Sequence, residues 1–447
     1  MKRQLGKFET AQVMTGEAAP FNLVIALRFI KGPDFEALRA ALGYLQQRHP
    51  MLRAGVKRDG KELSFVIADD AVVCLRSSPR SADDDWKRLV EDELNTPFEL
   101  MPGPLFRVRY VANTQSEGPC ELLLTAHHAI IDGVSAACLL HEILGLCESL
   151  SAGQQLETPN SLDLFGAAEQ MFPARHRGWR GVLTQAAFLA RQMHDGFRFW
   201  REIRHIDEPE IKPQGQCHIV VFQLPAKLTT RLNRACRKQR ITLNSLLCAV
   251  HLLMARDHAF NAGTVPLRHF VFADLRPYLE PSIPAENLGA YFAMLHLVSQ
   301  VKSDTGTWAL ARSLNAQIHE ASTRGDKFNS VLMSKAMMKS ILAKPRLRMG
   351  HAALAFLGPV KLSETYGDIR PNALHAFVSN MILGPVYTAN VRIFMGQLYW
   401  DMIYLDSDMD ENTALQLANS IQQTLTGLAQ KIETPEANTS QGHSKPQ

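Results

Sequence analysis

The sequence predicts an α/β protein made of two mixed units of similar size joined by a crossover. Three observations carry that reading. The 447 residues suffice for two or three globular units at roughly 100–200 residues each and exclude a single small domain. Strand-like and helix-like apolar periods alternate on both sides of the middle of the chain, the pattern of mixed α/β units. Between them the periodicity degrades around Pro159, Pro173, Pro209 and Pro213. The boundaries that follow are a first half at 1–165, a crossover linker at 166–214, a second half at 215–432 and a polar tail at 433–447, which is expected to be disordered.

In chain order, FNLVIALRFIKG (21–32) reads as a strand, and Pro33-Asp34 then opens a helix with Phe35, Leu38, Ala41, Leu42 and Leu45 on one face. Strands are predicted at Leu63–Ile67, Leu105–Val111 and Glu121–Ala126, with a helix over Asp84–Leu94 and another of about four turns after Gly133. One helix, Val182–Trp200, interrupts the crossover. The second half reads as strand Cys217–Leu224, helices near Leu228–Lys238 and Leu243–Arg256, strands His269–Asp274 and Ala290–Val298, and a helix from Thr307. Strands return near Leu374–Leu383, Tyr387–Phe394 and Gln397–Tyr404 before a last helix, Glu411–Ile432.

Composition narrows the class. Hydrophobic residues at 46% and charged residues at 21% match a soluble globular chain able to bury a sizeable core. The net charge of +4 is too small to make nucleic acid the main partner. With neither a signal-peptide run at the start nor about 20 uninterrupted apolar residues later, a cytoplasmic protein is expected. The seven scattered cysteines lack a CxxC pair and read as buried free thiols, not a disulfide framework or zinc site.

The densest chemical signal is His127-His128-Ala129-Ile130-Ile131-Asp132-Gly133, where a strand gives way to a helix. Given the His and Gly content, a chance HHxxxDG is expected in roughly two of a thousand such chains. A neutral imidazole takes a proton from a hydroxyl or amine near pH 7, so one of the two histidines is a candidate general base. Successive residues leaving a strand point opposite ways, so the other is expected to pack inward. Asp132 could orient the imidazole or brace the loop against a cation; Gly133 admits close approach of a substrate. Metal binding by His127, His128 and Asp132 is set aside because the remaining histidines show no HxH or HExxH grouping. A Ser135 nucleophile is disfavoured because it falls a turn inside the helix. A purely structural histidine pair remains the plain alternative.

The motif and its surroundings resemble the HHxxxDG acyltransferase superfamily: condensation domains of nonribosomal peptide synthetases, polyketide-associated acyltransferases, wax ester synthases and, more distantly, chloramphenicol acetyltransferase. Arg48-His49-Pro50-Met51-Leu52-Arg53 is similar to the family's RHPxLR segment, and Pro97-Phe98-Glu99-Leu100 with Gly103-Pro104-Leu105 to its PFDL…GPL segment. Ile241–Ser245, Asp274-Leu275-Arg276-Pro277, Asn287-Leu288-Gly289 and Phe377-Val378-Ser379-Asn380 follow in the family's order. The resemblance, over about residues 8–430, implies two chloramphenicol-acetyltransferase-like α/β sandwich halves in a V-shaped pseudo-dimer with a central tunnel. It implies His128 as general base, His127 as its support, a structural salt bridge between Asp132 and Arg276, the Gly133 backbone N–H as oxyanion donor, and Ser379 or Asn380 as a substrate-binding polar group.

The implied activity is transfer of an acyl group from a thioester, coenzyme A or phosphopantetheinyl acyl carrier protein, to the hydroxyl of a hydrophobic acceptor, with no bound cofactor or metal. Amide formation with an amine acceptor, as in a stand-alone condensation enzyme, and a non-catalytic carrier-protein scaffold are the alternatives. Both walls of the site come from one chain, so a monomer is expected. The basic run Lys327, Lys335, Lys339, Lys344, Arg346 and Arg348 could receive coenzyme A phosphates or an acidic carrier, or form a solvated face. Leu183, Ala187, Ala190, Met193, Phe197 and Trp200 line one face of the crossover helix, ringed by Arg175, Arg177, Arg180, Arg191, Arg198, Arg201 and Arg204. That face suits either peripheral contact with the inner face of a membrane or packing across the two halves.

Overall fold

The computed structural model of the protein describes residues 1–112, 118–198, 213–260, 265–344 and 348–431. Trp200, Arg201, Arg204, Arg346 and the 433–447 tail therefore lie outside the described residues. The first half runs β1 (Lys2–Gln4), α1 (Lys7–Ala18), β2 (Asn22–Lys31), α2 (Phe35–Arg48), β3 (Ala54–Asp59), β4 (Glu62–Ile67), β5 (Cys74–Pro79), α3 (Asp85–Asn95), β6 (Phe106–Ala112), β7 (Cys120–His127) and α4 (Gly133–Ser151). The crossover carries α5 (Gly178–Arg198). The second half runs β8 (Cys217–Leu224), α6 (Ala226–Lys238), α7 (Leu243–Met254), β9 (Val265–Asp274), β10 (Phe292–Val301), α8 (Thr307–Arg324), α9 (Asp326–Leu342), β11 (Ala352–Pro359), β12 (Arg370–Val378), β13 (Tyr387–Phe394), β14 (Gln397–Leu405) and α10 (Glu411–Gln430).

The local starts follow from capping chemistry. Asp34 Oδ2 accepts the N–H groups of Glu36 and Ala37 at 2.9 and 3.0 Å and so begins α2. Thr242 Oγ1 accepts the Ser245 N–H at 3.2 Å and begins α7. The 19 residues of α4 make about five turns, one more than the periodicity suggested.

Two larger sheets hold the molecule together. The first has the order β12-β2-β7-β6-β5 and the second β10-β9-β11-β13-β14-β8; β1, β4 and β3 form a small third sheet. Every residue of β7 is buried, because β2 and β6 pair with it on either edge and both sheet faces are covered. The second-half strand β12 pairs antiparallel with β2, Leu374 opposite Leu27 and Val378 opposite Leu23. The first sheet is thus completed by a segment more than 300 residues downstream. This strand also ends earlier than its apolar run, at Val378. Beyond it Gly384 N–H closes a turn on the Met381 carbonyl at 2.7 Å.

Two surface expectations change. The basic run is not one solvated face: Lys327 is buried with Nζ 3.1 Å from the Tyr278 ring centroid, and Arg348 is held by both carboxylate oxygens of Asp408 at 2.6 and 3.0 Å. Only Lys335, Lys339 and Lys344 stay exposed among its described members. The crossover helix does not pack its apolar face across the halves. Its inner side is Phe188, with Thr184 Oγ1 3.2 Å from Asn329 Oδ1 and Arg191 Nη2 2.8 Å from Asp326 Oδ1, while Leu183, Met193 and Phe197 face outward.

Several histidines are buried neutral. Burial pushes His251 down to about 3 and His269 and His296 to about 4; a neighbouring histidine adds to this for His251, the Arg268 charge for His296, and a Leu267 backbone hydrogen bond partly opposes it for His269. The unfolded chain protonates these rings near the ordinary value of about 6.5 and the native state does not, so stability falls as pH drops below that value. Between pH 6 and 4.5 each ring is expected to cost on the order of 1 kcal/mol per pH unit. Urea midpoints measured at pH 7, 6 and 5 should decline progressively, and the His269→Phe variant should decline less steeply.

Candidate active site

The HHxxxDG segment sits where β7 ends, in the turn before α4. Asp132 is the N-cap of that helix: Oδ1 accepts the N–H groups of Val134 and Ser135 at 3.1 and 3.0 Å and the Ser135 hydroxyl at 3.0 Å. Its other oxygen faces the second half, accepting Arg276 Nη1 at 2.6 Å and the Tyr291 N–H at 3.0 Å. Arg276, in the short turn after β9, also donates Nη2 to the Asn287 carbonyl at 3.2 Å. Burial opposes its charge, but Asp132, with Asp274 at 3.4 Å and Tyr291 adding to it, raises the guanidinium pKa above its ordinary value. Both Asp132 oxygens are thus engaged, one with the first turn of α4 and the other with Arg276 and the Tyr291 N–H.

His128 lines a cavity of about 460 Å³ between the two sheets. Its Nδ1 lies 2.8 Å from the Ile131 carbonyl oxygen. A carbonyl only accepts, so the neutral ring carries its proton on Nδ1, and Nε2 is left with the lone pair. The ring stacks on Phe292 at 4.9 Å and sits 5.4 Å from Phe21. Burial in this apolar setting lowers its pKa, with the Ile131 carbonyl and Asp132 charge opposing, so the ring is neutral at pH 7.

His127 turns the other way and is not part of the cavity wall. Its Nδ1 accepts the Ala129 N–H at 3.1 Å, and burial followed by the nearby His128 takes its pKa down to about 3. It packs against α1, where a Cβ placed on Gly16 would meet His127 Nε2 at 2.3 Å. Gly16→Ala is expected to destabilise the fold by about 1–3 kcal/mol through overpacking, read as a lower urea midpoint at constant m-value.

The remaining sequence-named residues divide by role. Gly133 lines the cavity as the first residue of α4, and its N–H is a first-turn donor that the Asp132 carboxylate does not take up. Ser379 and Asn380 also touch the cavity, but their polar atoms are engaged elsewhere. The Ser379 hydroxyl donates to the Leu94 carbonyl at 2.7 Å and accepts the Asn22 N–H at 3.1 Å. Asn380 donates Nδ2 to the Pro385 carbonyl at 2.7 Å and accepts the Met381 N–H at 3.0 Å. They brace the seam where β12 leaves the first sheet.

The RHPxLR-like segment braces the site from behind. Arg48 Nε and His49 Nε2 both meet Glu142 of α4 at 2.9 Å, tying α2 to the helix that Asp132 caps. Phe21, Phe292 and the Tyr291 N–H were not singled out from the sequence. The only signal for the last two was their position just after Asn287-Leu288-Gly289. The rest of the cavity wall is mostly apolar, with Phe8, Leu23, Phe272, Met294, Met337 and Met338 among its members.

A strand-to-helix HHxxxDG turn, clamped by an arginine from a second α/β half across a shared cavity, defines the class: a fold of the condensation-domain and chloramphenicol-acetyltransferase type. A family model described as the condensation domain matches residues 4–323, and the chain belongs to that family. A linear gramicidin synthase of Brevibacillus parabrevis is 33% identical over 252 residues, 52% of this chain and 5% of that protein. Polyketide synthase PksN of Bacillus subtilis (strain 168) is 27% identical over 341 residues, 68% of this chain and 6% of that protein. The chain therefore spans a small fraction of the length of these curated relatives. Among solved structures, TRI3 trichothecene 15-O-acetyltransferase from Fusarium sporotrichioides has a TM-score of 0.77 at 12% identity, covering 96% of this chain and 95% of that one. That likeness concerns the fold.

Proposed function

We propose that the protein is an acyltransferase that moves an acyl group from a thioester donor to the hydroxyl of a hydrophobic acceptor, with His128 as general base. The observation that carries this is the His128 ring: neutral, with Nδ1 held by the Ile131 carbonyl, in a largely apolar cavity shared by both sheets. Nε2 takes the acceptor's proton as its oxygen attacks the thioester carbonyl. The carbonyl π electrons move onto oxygen, and the Gly133 N–H at the positive end of α4 meets that charge. Collapse of the adduct re-forms the carbonyl and breaks the carbon–sulfur bond, and the leaving thiolate recovers the proton from Nε2. Because burial disfavours imidazolium here, the ring holds the proton only in passing.

The donor is coenzyme A or a phosphopantetheinyl carrier protein. Membership of the condensation-domain family favours a second reading, in which an amine replaces the alcohol and the product is an amide. The same base serves both. Intact-mass analysis of acyl transfer from a panel of coenzyme A and carrier-protein thioesters to matched alcohols and amines tests the proposal. Ester product dependent on His128 supports it; amide product alone supports the second reading; no product with any pair removes both.

A further inference from the structure

Helix α5 is amphipathic in the inverted sense. A surface helix normally turns its apolar stripe to the core. Here Trp179, Val182, Leu183, Met193 and Phe197 are between 59% and 85% exposed, whereas Phe188, on the opposite side, is 2% exposed. Positions 179, 183, 186, 190, 193 and 197 recur at helical spacing and are all exposed. The side that meets the body of the protein is made of Gly181, Phe188 and the polar contacts of Thr184 and Arg191 with α9. The Thr184 and Arg191 contacts with α9, together with buried Phe188, set which side of the helix faces outward.

The charge around this face selects the occupant. Residues 175–198 hold five arginines against one aspartate. Arg175, Arg177 and Arg180 are exposed, and Arg180 lies over the Trp179 ring at 5.4 Å. Two copies of such a face would bring arginine against arginine, which disfavours self-association. A convex stripe about 30 Å long, apolar along its crest, with a tryptophan at one end and cations beside it, fits a bilayer interface carrying anionic headgroups.

We infer that α5 is an interfacial helix that docks the protein on anionic lipid surfaces. The helix lies in the plane of the headgroups with Trp179, Leu183, Met193 and Phe197 below them and the exposed Arg175, Arg177 and Arg180 among the phosphates. It packs on α9, whose Ser330, Ser334, Met337 and Met338 line the cavity, so the docked face and the cavity wall share one supporting helix.

The test is flotation of the full chain with vesicles of phosphatidylglycerol and phosphatidylcholine (about 3:7), with pure phosphatidylcholine vesicles and with no lipid. The substituted protein carries Val182→Ser, Leu183→Ser, Met193→Ser and Phe197→Ser, all at exposed positions outside the catalytic machinery. Wild type is expected to float with anionic vesicles, to float less with phosphatidylcholine or in 1 M salt, and to lose on the order of tenfold in partitioning on substitution. Thermal melting and transfer from a water-soluble thioester should be unchanged in the variant. Three results overturn the inference: wild type that stays with the lipid-free fraction, equal flotation of both proteins, or a lipid-free dimer that the substitutions dissociate without any flotation of wild type.

Discussion

His128→Ala is expected to slow acyl transfer by about 10²–10⁴-fold, the range general-base catalysis supplies, while thermal unfolding stays close to wild type. The separation follows from where the ring's bonds go. Nδ1 makes one hydrogen bond, to Ile131 within the same turn, and the other neighbours are cavity-facing aromatic rings. Removing the ring opens space into an existing cavity and strands no buried charge. His128→Gln places a polar group of similar reach but no base, and should share the kinetic loss. Loss of rate with retained melting temperature and donor binding is the outcome that assigns the base; a folded alanine variant with full turnover would remove the assignment.

The second large effect is on the fold. Asp132→Ala is expected to destabilise the protein by about 3–5 kcal/mol, because it removes the 2.6 Å partner of the buried Arg276 guanidinium, leaving it the longer Asp274 contact at 3.4 Å, and uncaps α4. Arg276→Met leaves Asp132 buried with its cap and the Tyr291 N–H bond intact and should cost less than Asp132→Ala. The Asp132→Asn/Arg276→Met double variant should recover part of the single-variant loss, since the amide still caps α4 and no buried charge is stranded. Chemical denaturation of wild type, Asp132→Asn, Arg276→Met and the double variant gives the coupling directly. Additive effects would mean that the two residues do not act as a pair. The transfer rate of the soluble double variant is informative in its own right: retained activity excludes direct proton transfer by Asp132.

Much of the site was legible before any coordinates because its signals are local. A buried apolar run, ELLLTA, followed by paired histidines and Asp-Gly, specifies a strand, a turn and a capped helix within a dozen residues. The clamp across the halves was accessible only through family resemblance, since no local period links Asp132 to a position 144 residues away. Other parts were hidden for physical reasons. Helix α1 buries Glu9, Thr10, Gln12 and Thr15, so it has no apolar stripe to read; Glu9 is stabilised there by Arg3 at 2.6 Å. Lys327 reads as surface charge until Tyr278 is found against it. Strand β11 lies centrally between β9 and β13, yet its short apolar run directly follows a cationic stretch and carries no period of its own. Ser379 and Asn380 have the chemistry of substrate contacts, and only the nearby carbonyls reveal where their donors point.

The late arrival of β12 has a consequence for synthesis of the chain. By the time His127 has emerged from the ribosome, β2, β5, β6 and β7 exist, but the neighbour that closes the β2 edge is still about 240 codons away. At roughly 5–20 residues per second, that edge waits on the order of 10–50 s for its partner. During translation the row of open amide and carbonyl groups along Asn22–Lys31 is a template for unwanted pairing, so the nascent first half is the stage at which chaperone shielding matters most.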